Sequence, residues 1–482
     1  YSTETDPKKK GSYYLVNSRS DRFDGNLTLA YNKTIDKHML NVGVGSNIMQ
    51  SETEGESFTG VGFINPDMIF IGAANAFQEN TSPQGTYDKS RLVGFFTNVN
   101  YGYGNRYFLD FSFRSDGSSK FGRNSRFAPF WSLGVAWNVH NESFWHAHEK
   151  NALKLRASVG STGTTNFSST QALTTYLYDF SREYNGNFGV SLAGYGNSSL
   201  KWQTTLSYNV GVDFTFLHGL VVFNGDFYIK NTRSLLLPVT VAPSTGFIDY
   251  VENIGKLRNT GVEARLRFNL IQDAVKDLRW NVTLSAFHNR SKITQLSNQL
   301  ETINQYANDD RANQGTVVYR QFEAGRSQTA LMVVRSGGID PATGNEIYIK
   351  RNGEMTFEYN HNDKIECGDM KPKIEGNVNT NLNWKGFNLY MLFKYQYGGK
   401  IYNATLASKV EGVNPLKNAD KRVLYDRWKE PGDHAKFRRF DGTSAPYQKT
   451  RLLFDNNLLA FFILCLPHQR TPNISPKMHL ER

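Results

Sequence analysis

The stretch NTGVEARLRFNL, residues 259–270, alternates without a break: Val262, Ala264, Leu266, Phe268 and Leu270 fall on one side of an extended chain, Glu263, Arg265, Arg267 and Asn269 on the other. Successive side chains of a pleated strand point to opposite faces, so the alternation predicts a strand with one apolar and one charged face. The same period recurs. YNVGVDFTF sets Tyr208, Val210, Val212, Phe214 and Phe216 against Asn209, Gly211, Asp213 and Thr215. IEGNVNTNLNW opposes Ile374, Val378, Leu382 and Trp384 to a row of asparagines, and after Lys385 and Gly386 the chain resumes in period through Phe387, Leu389, Met391, Phe393, Tyr395 and Tyr397. That is a hairpin with a short turn.

Further hairpins are predicted for 22–32 with 38–49, 91–101 with 105–115, 204–217 with 219–230, and 259–271 with 277–290. Between them lie polar stretches rich in Gly, Asn and Ser at 50–90, 161–203, 231–258, 291–330 and 399–448. Tight turns therefore alternate with long loops, and the strand segments run to about ten residues, the length a tilted membrane strand needs. The rule yields roughly fourteen to sixteen strands, more than the ~10 that one open soluble sheet carries comfortably. The predicted fold is all-β, an antiparallel transmembrane β-barrel. Tyr101, Tyr103, Tyr107, Phe108, Trp384 and Phe387 flank short turns, where Trp and Tyr favour the depth at which lipid meets headgroups.

Composition sharpens this picture. Hydrophobic residues are 39% of the 482, yet aromatics reach 13%, a pairing that suits a wet interior with aromatics at a boundary. No run approaches the ~20 apolar residues of a spanning helix. The net charge of +11 is scattered, and its one cluster, DPKKKG at 6–11, reads as a solvated loop or a turn rather than a nucleic-acid site. Cys367 and Cys465 form no zinc, redox or disulfide pattern.

Candidate chemistry is sparse. In HNESFWHAHEK, His146 and His148 share a strand face and His140, Glu142 and Glu149 lie close by, but a zinc site needs a third ligand at a defined spacing and none is present. The segment DPATGNE (340–346) has calcium-loop composition without the alternating ligands, so a Pro/Gly turn is the expectation. No catalytic, cofactor or metal residue is assigned, which weakens a secreted β-sandwich hydrolase as a reading. A soluble β-rich carbohydrate-binding module is the alternative from a different class.

Four motifs in order add a family. NRYFLDFSFRSDGSSKFGRNSRFAPFWSLGVAWNVHNESF (105–144), VENIGKLRNTGVEARL (251–266), GIDPATGNEIY (338–348) and NTNLNWKGFNLYMLFKYQYGGKIYN (379–403) closely resemble landmarks of the SusC/RagA-type TonB-dependent outer-membrane receptors. The resemblance runs to about residue 457. It implies a place in the outer membrane of a Gram-negative bacterium, import of oligosaccharides or peptides, a SusD-type surface lipoprotein over the barrel, a plug inside it, and the TonB complex as energy source.

The resemblance fails at both ends. Nothing at the start corresponds to the family's signal peptide, TonB-binding segment or plug, and after Asn457 the chain gives nine unalternated apolar residues, Leu458 to Leu466, then a tail with Pro467, Pro472 and Pro476. The expectation is a partial barrel over 1–457, an atypical tail over 458–482 foreign to the barrel, absent plug and closing strands, and an open curved sheet inactive in transport by itself. Within it Glu263, Arg265 and Arg267 are expected to face the lumen and Val262, Leu266 and Phe268 the lipid, since an arginine facing lipid at mid-membrane costs ~2–4 kcal/mol.

Overall fold

The computed structural model describes residues 11–467 except 64, 66, 69, 79–82, 123–124, 147–149, 165–171, 186, 241–248, 254, 297–321, 414–418 and 441–448. Thirteen long strands follow one another as an antiparallel meander: β1 (Ser12–Ile35), β2 (His38–Val61), β3 (Gln84–Tyr103), β4 (Tyr107–Ser118), β5 (Phe127–Asn138), β6 (Ala152–Thr164), β7 (Gln203–Phe216), β8 (Val221–Arg233), β9 (Lys256–Asp273), β10 (Leu278–Gln295), β11 (Ile374–Trp384), β12 (Phe387–Tyr397) and β13 (Leu458–Pro467). With the short strand Ala76–Phe77, which pairs β2, they make one 14-stranded sheet. Each long strand pairs its sequence neighbours, and among the described residues no ladder joins β1 to β13. The antiparallel barrel wall is thus present as an open sheet.

All five predicted hairpins form. Lys385 (φ 43°) and Gly386 (φ 92°) both adopt the left-handed backbone that a two-residue hairpin turn requires, and the eleven pairs from Ile374↔Tyr397 to Trp384↔Phe387 run without a shift. Tight connections lie at one end of the sheet. At the other, the predicted loops hold more structure than their composition suggests: paired ribbons Thr175–Tyr184 with Asn187–Gly194 and Leu236–Thr240 with Asp249–Asn253, and a module of short strands and helical turns between β10 and β13.

Strand length departs from the ten-residue expectation. β1 and β2 have 24 residues each, β3 has 20, and β9 and β10 have 18. The loop predicted over 50–90 consequently shrinks to 62–83. The cause is compositional: where no apolar row remains on either face, the alternation fades while the backbone ladder continues. Ser51–Gly60, polar or small at nearly every position, is such an extension.

Leu458–Pro467, the apolar run after Asn457, lies along β12 as the last described strand, and 468–482 fall outside the described residues.

Register sorts the wall into two faces. Directly paired residues share a face, and Leu109, Val135, Ala157, Val210, Phe227 and Val262 are successive partners across β4 to β9. Leu27, Leu29, Val210 and Val262 are 73%, 77%, 60% and 46% exposed, so no second layer covers this apolar surface. Buried apolar clusters occur instead at the loop end: Phe121, Ala128, Phe130, Ala172, Leu200, Trp202 and Val251 in one, Leu406, Ala407, Val410, Phe437 and Leu452 in the other.

Candidate functional site: the polar face and the loop-end module

The polar face carries paired charge. Arg156 on β6 binds Asp213 on β7 through Nε (2.8 Å) and Nη2 (3.0 Å), and its Nη2 also reaches Asp226 on β8 (3.2 Å). Asn224 donates to Asp213 (2.8 Å) and Asn209 to Asp226 (3.1 Å), so both carboxylates are held by amide and guanidinium donors. The network crosses Gly211: a Cβ there would lie 2.6 Å from Asp226 Oδ1 and 2.8 Å from Arg156 Nη2.

Glu263 is the register partner of Asp226, Arg265 of Asn224 and Arg267 of Val222, which places all three on this same face, exposed. Val262, Leu266 and Phe268 pair with Phe227, Phe223 and Val221 on the opposite, apolar face. The six residues thus lie on two opposite faces of β9. Further along, Asn98 accepts from Ser112 (2.7 Å), Asn100 donates to Asp110 (2.6 Å), and the half-buried asparagines of β11 bond along the strand, Asn379 to Asn377 (3.4 Å) and Asn383 to Asn381 (3.1 Å).

At the turn end an aromatic band appears. Tyr103, Tyr107, Trp384 and Phe387 are exposed there, and Tyr107 stacks on Trp137 with ring centroids 6.4 Å apart. Glu142 accepts from Tyr107 Oη (2.7 Å), Trp137 Nε1 (3.0 Å) and Arg106 (3.3 Å), which uses it as a clamp on the turn. Of the histidines in the same motif, His140 and His146 pair with the carbonyls of Leu153 (2.9 Å) and Phe144 (2.7 Å), and His148 with Glu149 lies outside the described residues.

At the loop end the family-like motifs act as anchors. Phe121 of SSKFG stacks on Trp202 (4.6 Å), Phe130 meets the same ring edge-on (5.3 Å), and Trp202 Nε1 donates to Arg126 O (3.1 Å). Asn253 of VENIG accepts from Lys201 N (2.9 Å) and donates to Lys201 O (2.7 Å) and Ser234 O (3.0 Å). In the expected 340–346 turn, Asp340 accepts from Thr343 Oγ1 (2.6 Å) and Ala342 N (3.3 Å), while Gly344 (φ 71°) leaves room for the Trp428 ring, whose Nε1 donates to Pro341 O (2.9 Å). The Thr343 hydrogen bond holds the Asp340 carboxyl below its ordinary range.

The module's centre is a buried ion cluster that sequence reasoning missed. Glu346 and Glu411 are enclosed with Lys449; Lys449 Nζ bonds Glu346 and lies 3.1 Å from Glu411, and Arg451 joins Glu346 (2.9 and 3.0 Å) to Glu411 (2.6 Å). Burial alone would raise the Glu346 pKa, but the Lys449 charge and the Arg451 hydrogen bonds outweigh it and hold it at about 2. Its acidic and basic members lie 38 to 105 residues apart, so no local motif could have announced the pairing. Arg156 and Asp213 did leave a signal: opposite charges in the polar register of strands that become neighbours.

Comparison with known proteins places this geometry. The family model for the TonB dependent receptor-like β-barrel matches residues 1–330. TonB-dependent receptor P3 of Formosa agariphila is 27% identical over 409 residues, 80% of this chain and 39% of that protein. TonB-dependent receptor SusC of Bacteroides thetaiotaomicron is 27% identical over 333 residues, 67% of this chain and 32% of that protein. The chain spans less than half the length of these curated relatives. The structure of the RagAB peptide transporter superposes with a TM-score of 0.80 at 24% identity, covering 93% of this chain and 49% of that one. A two-faced antiparallel wall with tight turns at one end and anchored loops at the other, matched by the family model over most of its length, belongs to the TonB-dependent receptor-like β-barrel family.

Proposed function

We propose that this chain forms the wall of an outer-membrane receptor that imports oligosaccharides or peptides with energy from the TonB complex and with a SusD-type surface lipoprotein at its mouth. The observation that carries the reading is the two-faced wall. Its apolar surface is continuous and uncovered, as lipid contact requires, and its polar surface is laced with Arg156, Asp213, Asp226 and asparagines, as a wet passage requires. A soluble carbohydrate-binding sandwich would bury that apolar surface under a second sheet. Relatives support the cargo class: one similar protein is named SusC and another structure is titled a peptide transporter. A polar cleft of about 450 Å³ at the loop end, lined by Tyr195, Asn197, Ser198, Ser199, Lys201 and Glu252, offers the ring face and hydroxyl and amide groups that sugars or peptide backbones use.

In this reading Glu263, Arg265 and Arg267 face the lumen, and Val262, Leu266 and Phe268 face lipid. Single cysteines placed at 265 to 268 in the full-length receptor, probed in intact membranes with an impermeant thiol reagent, test it. Positions 265 and 267 should label and 266 and 268 should stay protected; the reverse pattern would overturn the orientation.

A further inference from the structure

Just past the apolar band, on its outward side and toward the loop end, the sheet gathers five cations. Arg233 ends β8; Lys256 and Arg258 begin β9; Arg290 and Lys292 lie near the end of β10. Register fixes their face. Arg233 pairs with Lys256, Asn231 with Arg258, Arg258 with Lys292, Thr260 with Arg290, and the next pair in the series is Val262 with His288. They therefore continue the row that below them reads Phe227, Val262 and Leu284. Thr232, Leu257, Ser291 and Ile293, which alternate with them, are buried, whereas Arg233, Lys256, Arg258 and Arg290 are exposed.

Within these three strands, acid is missing from this surface. The acidic residues of β8, β9 and β10 are Asp226, Glu263 and Asp273; the first two lie on the polar face, and Asp273 is at the far, turn end. Arg258 donates to Asn231 (2.9 Å), and no acidic side chain among the described residues pairs with any of the five. Like charges placed directly opposite one another destabilise a sheet, and two such pairs stand side by side here, Arg233 with Lys256 and Arg258 with Lys292. A bound anion removes that repulsion. The apolar residues from Val221 to Ile229 lead up to the cluster, and nine strand residues, roughly 30 Å of contour before tilt, match the height of the apolar band of a membrane barrel.

We propose that Arg233, Lys256, Arg258, Arg290 and Lys292 form a docking surface for phosphate-bearing lipid headgroups of the outer leaflet, with the lipid's chains lying on the apolar row beneath. Guanidinium groups grip phosphate oxygens in pairs and ammonium groups add point charge. The inference rests on the membrane orientation proposed above, because only then does the cluster stand at headgroup depth.

The test uses the full-length receptor in detergent, with lipid A and its dephosphorylated form as probes, and retained lipid counted by native mass spectrometry. The receptor should retain the phosphorylated form at least ten-fold better, with the difference shrinking as salt rises. A triple variant, R233Q/R258Q/R290Q, should lose the preference while still inserting in the outer membrane, and Lys276→Gln at the turn end should keep it. Equal retention of both probes, or an undiminished preference in the triple variant, overturns the proposal. So does a variant that keeps its lipid preference but sheds an acidic protein partner. Thiol labelling of Val262→Cys separates the two failures: labelling there defeats the orientation itself, whereas protection there with no phosphate preference defeats only the lipid site.

Discussion

Arg156 grips Asp213 with two nitrogens, at 2.8 and 3.0 Å, and reaches on to Asp226 across Gly211, whose missing side chain leaves that path open. Because about a third of each side chain is exposed, the pair resembles a surface ion pair in energy, and Arg156→Ala should cost at most about 1 kcal/mol. Gly211→Val should push the flexible ends of Arg156 and Asp226 apart and cost about as little as removing the arginine, at most about 1 kcal/mol. Urea unfolding followed by tryptophan fluorescence would compare the two, and a loss well above that from either would contradict the account.

The buried cluster should make the loop-end module acid-sensitive. Glu346 is held at about 2, below its ordinary value near 4.5. A depressed carboxylate contributes stability that is present above its unfolded pKa and is lost as pH falls from about 4.5 toward 2. Lys449→Met, which leaves two enclosed carboxylates short of a partner, should destabilise the module by about 3–5 kcal/mol at neutral pH. Hydrogen exchange of 335–349 and 404–411 as a function of pH would read both effects.

Lys364 gives the opposite sign. It is buried, and desolvation lowers its pKa to about 8. Between about 8 and 10.5 the unfolded chain holds the proton that the folded chain has released, so stability should rise with pH through that window. Lys364→Met should remove the rise. Exchange rates measured from pH 7 to 10 provide the check; a native profile flat over that range would sink it.

Trp202 should be a keystone of the loop end and of little consequence to the wall. Its ring packs between Phe121 and Phe130, so Trp202→Ala should cost about 3–5 kcal/mol locally. Limited proteolysis of whole cells should then cut the segments around 119–126 and 195–202, while the β7–β8 hairpin stays protected.

Much of this was legible in the chain. Alternation around Val262, Val210 and Val378 revealed the strands, their faces and the hairpins, because one face of each is apolar and the other polar. Where neither face carries an apolar row, as over 51–60, that contrast vanishes and the strand becomes invisible to the pattern though its ladder persists. The loop-end module was opaque for another reason. Glu346, Glu411 and Lys449 have meaning only together, and the topology that joins them is not written in any local spacing. The motif around Phe121 could be matched to a family, but its physical purpose, a ring to stack on Trp202, needed the fold.

The unequal strands have a consequence for the mouth of the receptor. β1 and β2 run 24 residues and β11 and β12 only 11, a difference of roughly 40 Å of strand contour. With the tight turns aligned at one end, all of that surplus emerges at the other. The wall strands alone therefore make a parapet on the β1–β2 flank, and on the β11–β12 flank, where the strands stop short, the loop-end module stands in their place.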